Sequence, residues 1–222
     1  MKGSTWLALI LMGIGGCMVY YGFLENRLSG DASVEPVEVS LADLEAGEPL
    51  PDAHIKIGLH HRMYAISVYE HEDDGSGRLR SDTTVYWTYY PIISHDHPYI
   101  RSLVELEEEY GSLDKIPDRE WPPLGEVAVV VKSELFSTYG EIPRERRYTE
   151  AIEGMVINEI ESLGEEEKKL LSDGFPKMDF DKILILEEYR RPISTAGVVA
   201  IITVGSILVI LPGFLWVRSC LR

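Results

Sequence analysis

Two long apolar runs without a charged residue bracket this chain, and they constrain its fold more than any other feature. They cover residues 4–24 and 192–217. At about 1.5 Å of rise per residue, a helix over either run is as long as the roughly 30 Å of hydrocarbon in a bilayer, or longer. The sequence therefore predicts a transmembrane helix over each run, the first of which acts as a signal anchor.

The first run has a second interpretation, because Ile14-Gly15-Gly16-Cys17 resembles the lipobox of bacterial lipoproteins. The apolar run continues past Cys17 to Leu24, however, whereas a lipoprotein usually turns polar after its cysteine. The full length of the run suits a retained signal anchor better than a cleaved signal peptide. A second membrane helix would also make a lipid anchor redundant.

Two spans place both termini on one side of the membrane and the segment between them on the other. The flanking basic residues are balanced between the side of the termini and that of the central segment (Lys2, Arg218 and Arg222 against Arg27, Arg190 and Arg191). Long loops cross the membrane largely regardless of charge, so the basic start of the chain decides the prediction. We expect an integral protein of the plasma (inner) membrane, with cytoplasmic termini and an extracytoplasmic central domain.

The segment between the spans is strongly acidic. It contains all 37 acidic residues of the chain and all of its basic residues except Lys2, Arg218 and Arg222. We predict a linker over residues 25–36, an acidic extramembrane domain over 37–191 and a short basic tail over 218–222. Such a domain is a poor partner for nucleic acid and is repelled by anionic lipid headgroups.

Both cysteines, Cys17 and Cys220, lie outside the central domain. This excludes a disulfide framework, a thiolate metal site and a cysteine nucleophile from that domain. A serine nucleophile elbow and a phosphate-binding loop are likewise absent from the sequence. The chain therefore gives no sign of catalysis, and we lean toward a protein that is not an enzyme.

The pattern of the central domain predicts an α+β fold. Short apolar segments separated by turn residues indicate six or seven strands, the last at Ile183 to Leu186. Three short helices are indicated by Ser40 with Asp43, by Pro98 followed by Gly111, and by Ser162 with Glu165. Because strands and helices do not strictly alternate, we expect a mostly antiparallel sheet or a small, partly open β-barrel.

All six histidines fall within one stretch of the domain, from His54 to His97. His95 and His97 would share a face of an extended segment, and with a third ligand they would suit zinc or copper. The alternative is a polar turn between a strand and a helix, in which Asp96 or His97 caps the helix. No second ligand pair stands at a diagnostic spacing, so we predict no cofactor and keep zinc or copper as the alternative.

The strand predicted over residues 83–93 is rich in aromatic residues. Tyr86 and Tyr90 fall on one face, opposite Trp87 and Tyr89. If one face is uncovered, Tyr86 and Tyr90 form an interaction surface. The alternative is that both faces are packed in the interior.

Small residues recur at helical spacing in both apolar runs. Gly13 and Gly16 lie in the first run, and Ala196 and Ala200 lie in the second. Such residues let membrane helices approach closely, so the sequence predicts that the two spans pack on each other through them.

These features together favour a non-enzymatic interaction or assembly scaffold at the cell envelope. Its predicted partners are the lipid bilayer and another membrane or envelope protein. The layout is similar to that of oxidase assembly factors and of membrane-anchored ubiquitin ligases with a domain between two spans, and the similarity covers the layout alone. The alternative function is a metal-binding protein or metal-dependent enzyme that uses His95 and His97.

Overall fold

Each apolar run forms one long helix. Helix α1 spans Lys2–Ser29 and helix α5 spans Thr195–Cys220. Within them, Trp6–Ser29 and Thr195–Arg218 are long and apolar enough to cross a membrane. The structure, a computed structural model, describes residues 2–30, 32–72, 75, 78–158, 163–174, 179–180 and 182–220. It contains two compact units, Met1–Val34 with Pro192–Arg222, and Glu35–Arg191.

Helices α1 and α5 form an antiparallel pair that is tightest at two glycines. A Cβ added to Gly15 would lie 2.6 Å from the carbonyl oxygen of Gly205, and a Cβ added to Gly205 would lie 2.8 Å from that of Gly15. Near the other end of the pair, the Ile193 amide donates to Ser29 Oγ at 3.1 Å. The two backbones therefore touch at Gly15 and Gly205, where no side chain fits between them.

The small residues singled out from the sequence lie elsewhere on these helices. Gly13, Gly16, Ala196 and Ala200 are all exposed. A Cβ added to Gly13 or Gly16 would meet no other atom within 4 Å. The structure thus brings Gly15 and Gly205 together and leaves these four residues on open surface of the helices.

The second unit is built on a curled, mixed sheet that forms half of a barrel. Its nine described strands are β1 Val37–Val39, β2 His54–Ile57, β3 His60–Met63, β4 Val68–His71, β5 Val85–Ile93, β6 Val129–Ser133, β7 Arg146–Thr149, β8 Ile152–Val156 and β9 Leu184–Glu188. They run in the order β1-β2-β8-β9-β6-β5-β3-β7, and β4 pairs with β5 beside this path. The pairs β1–β2 and β6–β9 are parallel and the others antiparallel, which confirms the predicted α+β fold.

Three short α-helices accompany the sheet, as the sequence predicts: α2 Leu41–Glu45, α3 Pro98–Tyr110 and α4 Glu165–Gly174. The side chain of Ser40 accepts the Asp43 amide at the start of α2. Helix α3 begins at Pro98 and ends at Gly111, whose φ of 80° suits a residue without a side chain. Ser162, the predicted cap of α4, lies outside the described residues.

The concave face of the sheet encloses an apolar core. Twelve buried residues form it (Leu41, Leu44, Ile55, Ile57, Tyr64, Tyr90, Ile92, Val129, Val131, Ile152, Val156 and Leu186). Alternate residues of each strand point to this face, so Tyr90 and Ile92 contribute, while their neighbours Tyr89, Pro91 and Ile93 are buried on the opposite face. Leu41 and Leu44 of α2 join the same core. The candidate site lies near one margin of this sheet, at β3 and β7.

Candidate functional site

A buried ion pair lies inside the half-barrel, between strands β3 and β9. Arg62 Nη1 on β3 lies 2.9 Å from Glu188 Oε1 on β9, and both side chains are almost completely buried. Arg62 Nη1 also donates to the hydroxyls of Tyr90 at 3.0 Å and Tyr64 at 3.2 Å. Glu188 Oε2 accepts from Tyr90 at 3.0 Å and from Ser133 Oγ at 2.7 Å. The network joins β3, β5, β6 and β9 across the interior.

This network decides the role of Tyr90. Its ring is 0 % exposed, and burial, reinforced by the Glu188 carboxylate, raises the pKa of its hydroxyl. The hydroxyl therefore stays protonated and donates to Glu188. Tyr86 is 49 % exposed, and it lies at a register shift of the β4–β5 pairing, where Glu70 pairs with Trp87 and His71 with Val85. The two tyrosines do not form one surface.

His97 caps helix α3, which is the alternative that the sequence left open. Its Nδ1 accepts the Tyr99 amide at 3.2 Å, and its Nε2 lies 3.0 Å from the carbonyl oxygen of Glu126 and donates to it. Both ring nitrogens are thereby engaged. In the part of the chain that the structure describes, no group of three His, Cys, Asp or Glu side chains could hold a metal ion. The structure does not bring His95 and His97 together as ligands.

His95 instead meets His61 of β3. His61 Nε2 and His95 Nδ1 are 3.3 Å apart, and the rings are stacked with centroids 5.6 Å apart. The Tyr148 ring of β7 lies against both, with centroids 4.8 Å from His61 and 5.9 Å from His95. We call His61, His95 and Tyr148 the His–Tyr cluster. Tyr148 is the residue opposite His61 in the β3–β7 pairing, which brings the rings together.

The charge next to the His–Tyr cluster comes from β7. Arg146 and Tyr148 lie on one face of this strand because side chains alternate along it. Burial, with help from the positive charge of Arg146 and from His95, lowers the pKa of His61 from 6.5 to about 4. His61 is therefore neutral at physiological pH, and the positive charge beside the His–Tyr cluster is that of Arg146.

We expect Arg146→Gln to raise the pKa of His61 from about 4 toward its ordinary value of 6.5, since it removes a repelling charge. Because this pKa is lower in the folded than in the unfolded chain, protonation of His61 should destabilise the protein as the pH falls from 6.5 toward 4. NMR titration of ¹³C-labelled histidine in the full chain measures the midpoint. Arg119→Gln, outside β7, is the control, and an unchanged midpoint in Arg146→Gln contradicts the prediction.

Strand β7 is an open edge of the sheet. In the described part of the chain it pairs with β3 alone, and no backbone hydrogen bond reaches its other side. Arg146, Arg147 and Tyr148 are exposed, and neither arginine forms an ion pair with a described residue. We call the free side of β7, with these three side chains, the β7 edge.

Comparison with known proteins gives no match. No family model, no curated protein and no solved structure resembles this chain closely enough to count as a relative.

A cleft of about 550 Å³ at α2 and β9 is a weaker candidate than the β7 edge. It is lined by four carboxylates, those of Glu45, Glu48, Glu126 and Asp179, together with Lys182 and apolar side chains. Glu45 accepts the amide and hydroxyl of Ser94 at 2.8 and 2.5 Å, which ties down the loop before α3. Lys182 Nζ lies 2.9 Å from Asp179. These groups serve the local structure, and the acidic lining would repel most anionic metabolites.

The β7 edge was not foreseen from the sequence. Arg146-Arg147-Tyr148-Thr149 lacks the apolar alternation of a half-buried strand, because this strand is exposed at the margin of the sheet. The available signal is the group of three arginines between positions 144 and 147 in an otherwise acidic segment.

Proposed function

We propose that this chain is a double-anchored membrane protein that binds another membrane or envelope protein at the β7 edge and catalyses no reaction. The observation that carries the proposal is the β7 edge itself, which exposes two arginines, an aromatic ring and a row of backbone groups that no described residue pairs with. The two long apolar helices support the membrane anchor. The domain then acts as a binding module or assembly scaffold held at the bilayer.

The β7 edge suits addition of a strand from a partner. Its backbone N–H and C=O groups on the free side are directed at solvent, and an extended segment of another protein can pair with them. Tyr148 is 53 % exposed and is held from behind by the rings of His61 and His95. A preorganised aromatic side chain of this kind is a common anchor in protein interfaces.

We place the domain on the extracytoplasmic side of the plasma (inner) membrane, with both termini in the cytoplasm. The support is the basic start of the chain at Lys2 and the ease with which long loops are translocated. A membrane-impermeant thiol reagent applied to intact cells that carry Glu70→Cys, an exposed position of the domain, in a chain with Cys17→Ser and Cys220→Ser tests this orientation. Labelling only after the cells are broken would reverse it.

Site-specific photo-crosslinking tests the proposed binding surface. We expect the full-length chain carrying p-benzoylphenylalanine at position 148 to form an adduct with one membrane or envelope protein in its native membrane. The same substitution at Tyr86 is the matched control, because Tyr86 is 49 % exposed and also lies on a strand. It should form much less of this adduct.

The outcome distinguishes binding at the β7 edge, binding at the exposed end of β5 and random encounter. An adduct at position 148 but not at 86 supports the proposal. Equal adducts at both positions contradict it, since they indicate random encounter. An adduct at Tyr86 alone overturns the β7 edge in favour of the exposed end of β5.

A further inference from the structure

We infer that the segment which docks on the β7 edge is an extended acidic segment, with two consecutive carboxylate residues opposite Arg146 and Arg147. The inference rests on the proposed function and adds the chemistry of the partner. The arginines of the β7 edge are positively charged, whereas the domain as a whole has a net negative charge.

The two arginines lie on opposite faces of β7. Consecutive residues of a strand alternate in direction, so Arg146 shares a face with Tyr148 and Arg147 lies on the other. Two consecutive residues of an added strand would lie directly opposite them, one on each face. A pair of neighbouring carboxylates therefore matches both arginines at once, whereas an isolated one matches a single face.

Arg147 has an uncompensated charge for a structural reason. It lies opposite Arg62 in the β3–β7 pairing, and like charges in directly opposite positions repel. The charge of Arg62 is balanced inside the barrel by Glu188 at 2.9 Å. Arg147 has no such partner among the described residues. A carboxylate on a partner strand, added at the open side of β7, would balance the charge of Arg147.

Arg146 lies beside neutral rings on its face of the sheet and forms no ion pair with a described residue. The His–Tyr cluster lies on its face of the sheet, and His61 is neutral at physiological pH. Bidentate contact with a carboxylate is the geometry for which a guanidinium is suited. The aromatic rings beside it exclude water from one side of the contact, which strengthens a charge pair at the edge.

The charges argue against two other occupants. A second copy of this chain that paired β7 to β7 with Arg146 opposite Arg147 would bring arginines against arginines, and like charges in directly opposite positions repel. A surface of anionic lipid could neutralise the arginines but would leave the backbone groups of β7 without hydrogen-bond partners. The acidic domain around the edge is repelled by such a surface as well.

Peptide binding to the full-length protein in detergent tests the inference. The probe is a short fluorescent peptide with two consecutive glutamates followed by valine and threonine residues, and its counterparts carry glutamines or lysines in place of the glutamates. We expect the glutamate peptide to bind about tenfold more tightly than the glutamine peptide. In the double variant Arg146→Glu/Arg147→Glu, the preference should switch to the lysine peptide. Arg119→Glu, which reverses one charge at an exposed arginine outside β7, should leave the glutamate peptide the tighter binder.

Each result decides for or against the acidic segment. Equal affinity for the glutamate and glutamine peptides, or a preference that survives the charge reversal, overturns it. Displacement of the peptide by phosphatidylglycerol vesicles assigns the arginines to lipid and overturns it too. A cross-link from position 148 to a segment without neighbouring acidic residues overturns the acidic chemistry but leaves the proposed function standing. Absence of that cross-link overturns the proposed function itself.

Discussion

Glu188→Ala is expected to lower the free energy of unfolding by about 3–5 kcal/mol, the cost of leaving one member of a buried ion pair without its partner. The substitution removes the carboxylate 2.9 Å from Arg62 and the acceptor of two hydrogen bonds, from Tyr90 and Ser133. The guanidinium would then remain among buried groups with its charge unbalanced. Thermal unfolding of the full chain in detergent, followed by tryptophan fluorescence, measures the loss.

The neighbouring residue provides the control. Glu187 also forms an ion pair, with Arg190 at 2.6 Å, but that pair is local in sequence and partly exposed. Glu187→Ala should therefore cost no more than about 1 kcal/mol. Replacing both members of the buried pair, as Arg62→Met with Glu188→Leu, should recover most of the stability lost in Glu188→Ala, because no unpaired charge is left inside. If Glu188→Ala and Glu187→Ala lower the free energy of unfolding by equally small amounts, the Arg62–Glu188 ion pair does not stabilise the domain as predicted.

The parts of the fold that local sequence determines could be predicted. Pro98 and Gly111 bound helix α3 as expected, because one lacks an amide donor and the other tolerates a positive φ. Apolar continuity gave the strand β9, although it begins one residue and ends two residues later than predicted. The long apolar runs became the two long helices. In each case the signal lies within the element itself.

The parts that depend on distant segments could not be predicted. Period-two alternation placed Tyr86 and Tyr90 on one face, but the β4–β5 pairing shifts register at Tyr86, which is exposed while Tyr90 is buried. Arg62 and Glu188 come from opposite ends of the domain sequence and meet through the strand order. The pairing of β3 with β7 likewise brings His61 and Tyr148 together, and His95 packs against both. His97 instead caps helix α3. No spacing in the sequence carries such information.

The α1–α5 pair is where the second large effect is expected. Gly15→Leu or Gly205→Leu should separate the two helices at their point of contact, because a Cβ at either position would lie within 3 Å of the opposite backbone. Neither backbone carbonyl can move without disturbing its own helix. Overpacking of this kind costs about 1–3 kcal/mol in a well-packed interior. The close approach of small residues is also what holds membrane helices together.

Thiol cross-linking reports whether the helices stay together. In a chain with Cys17→Ser and Cys220→Ser, the pair Met12→Cys and Gly213→Cys should be joined by a short cross-linker, since the Met12 methyl lies 3.8 Å from a Cβ added at position 213. Gly15→Leu or Gly205→Leu should abolish most of this product. Gly13→Leu and Gly16→Leu are the matched controls, because a Cβ at either position meets no atom within 4 Å and the added side chain starts on open surface, so the yield should be unchanged. Loss of cross-linking in the controls with retention in Gly15→Leu would mean that the helices pack through the predicted small-residue face, and that Gly15 and Gly205 do not form the contact.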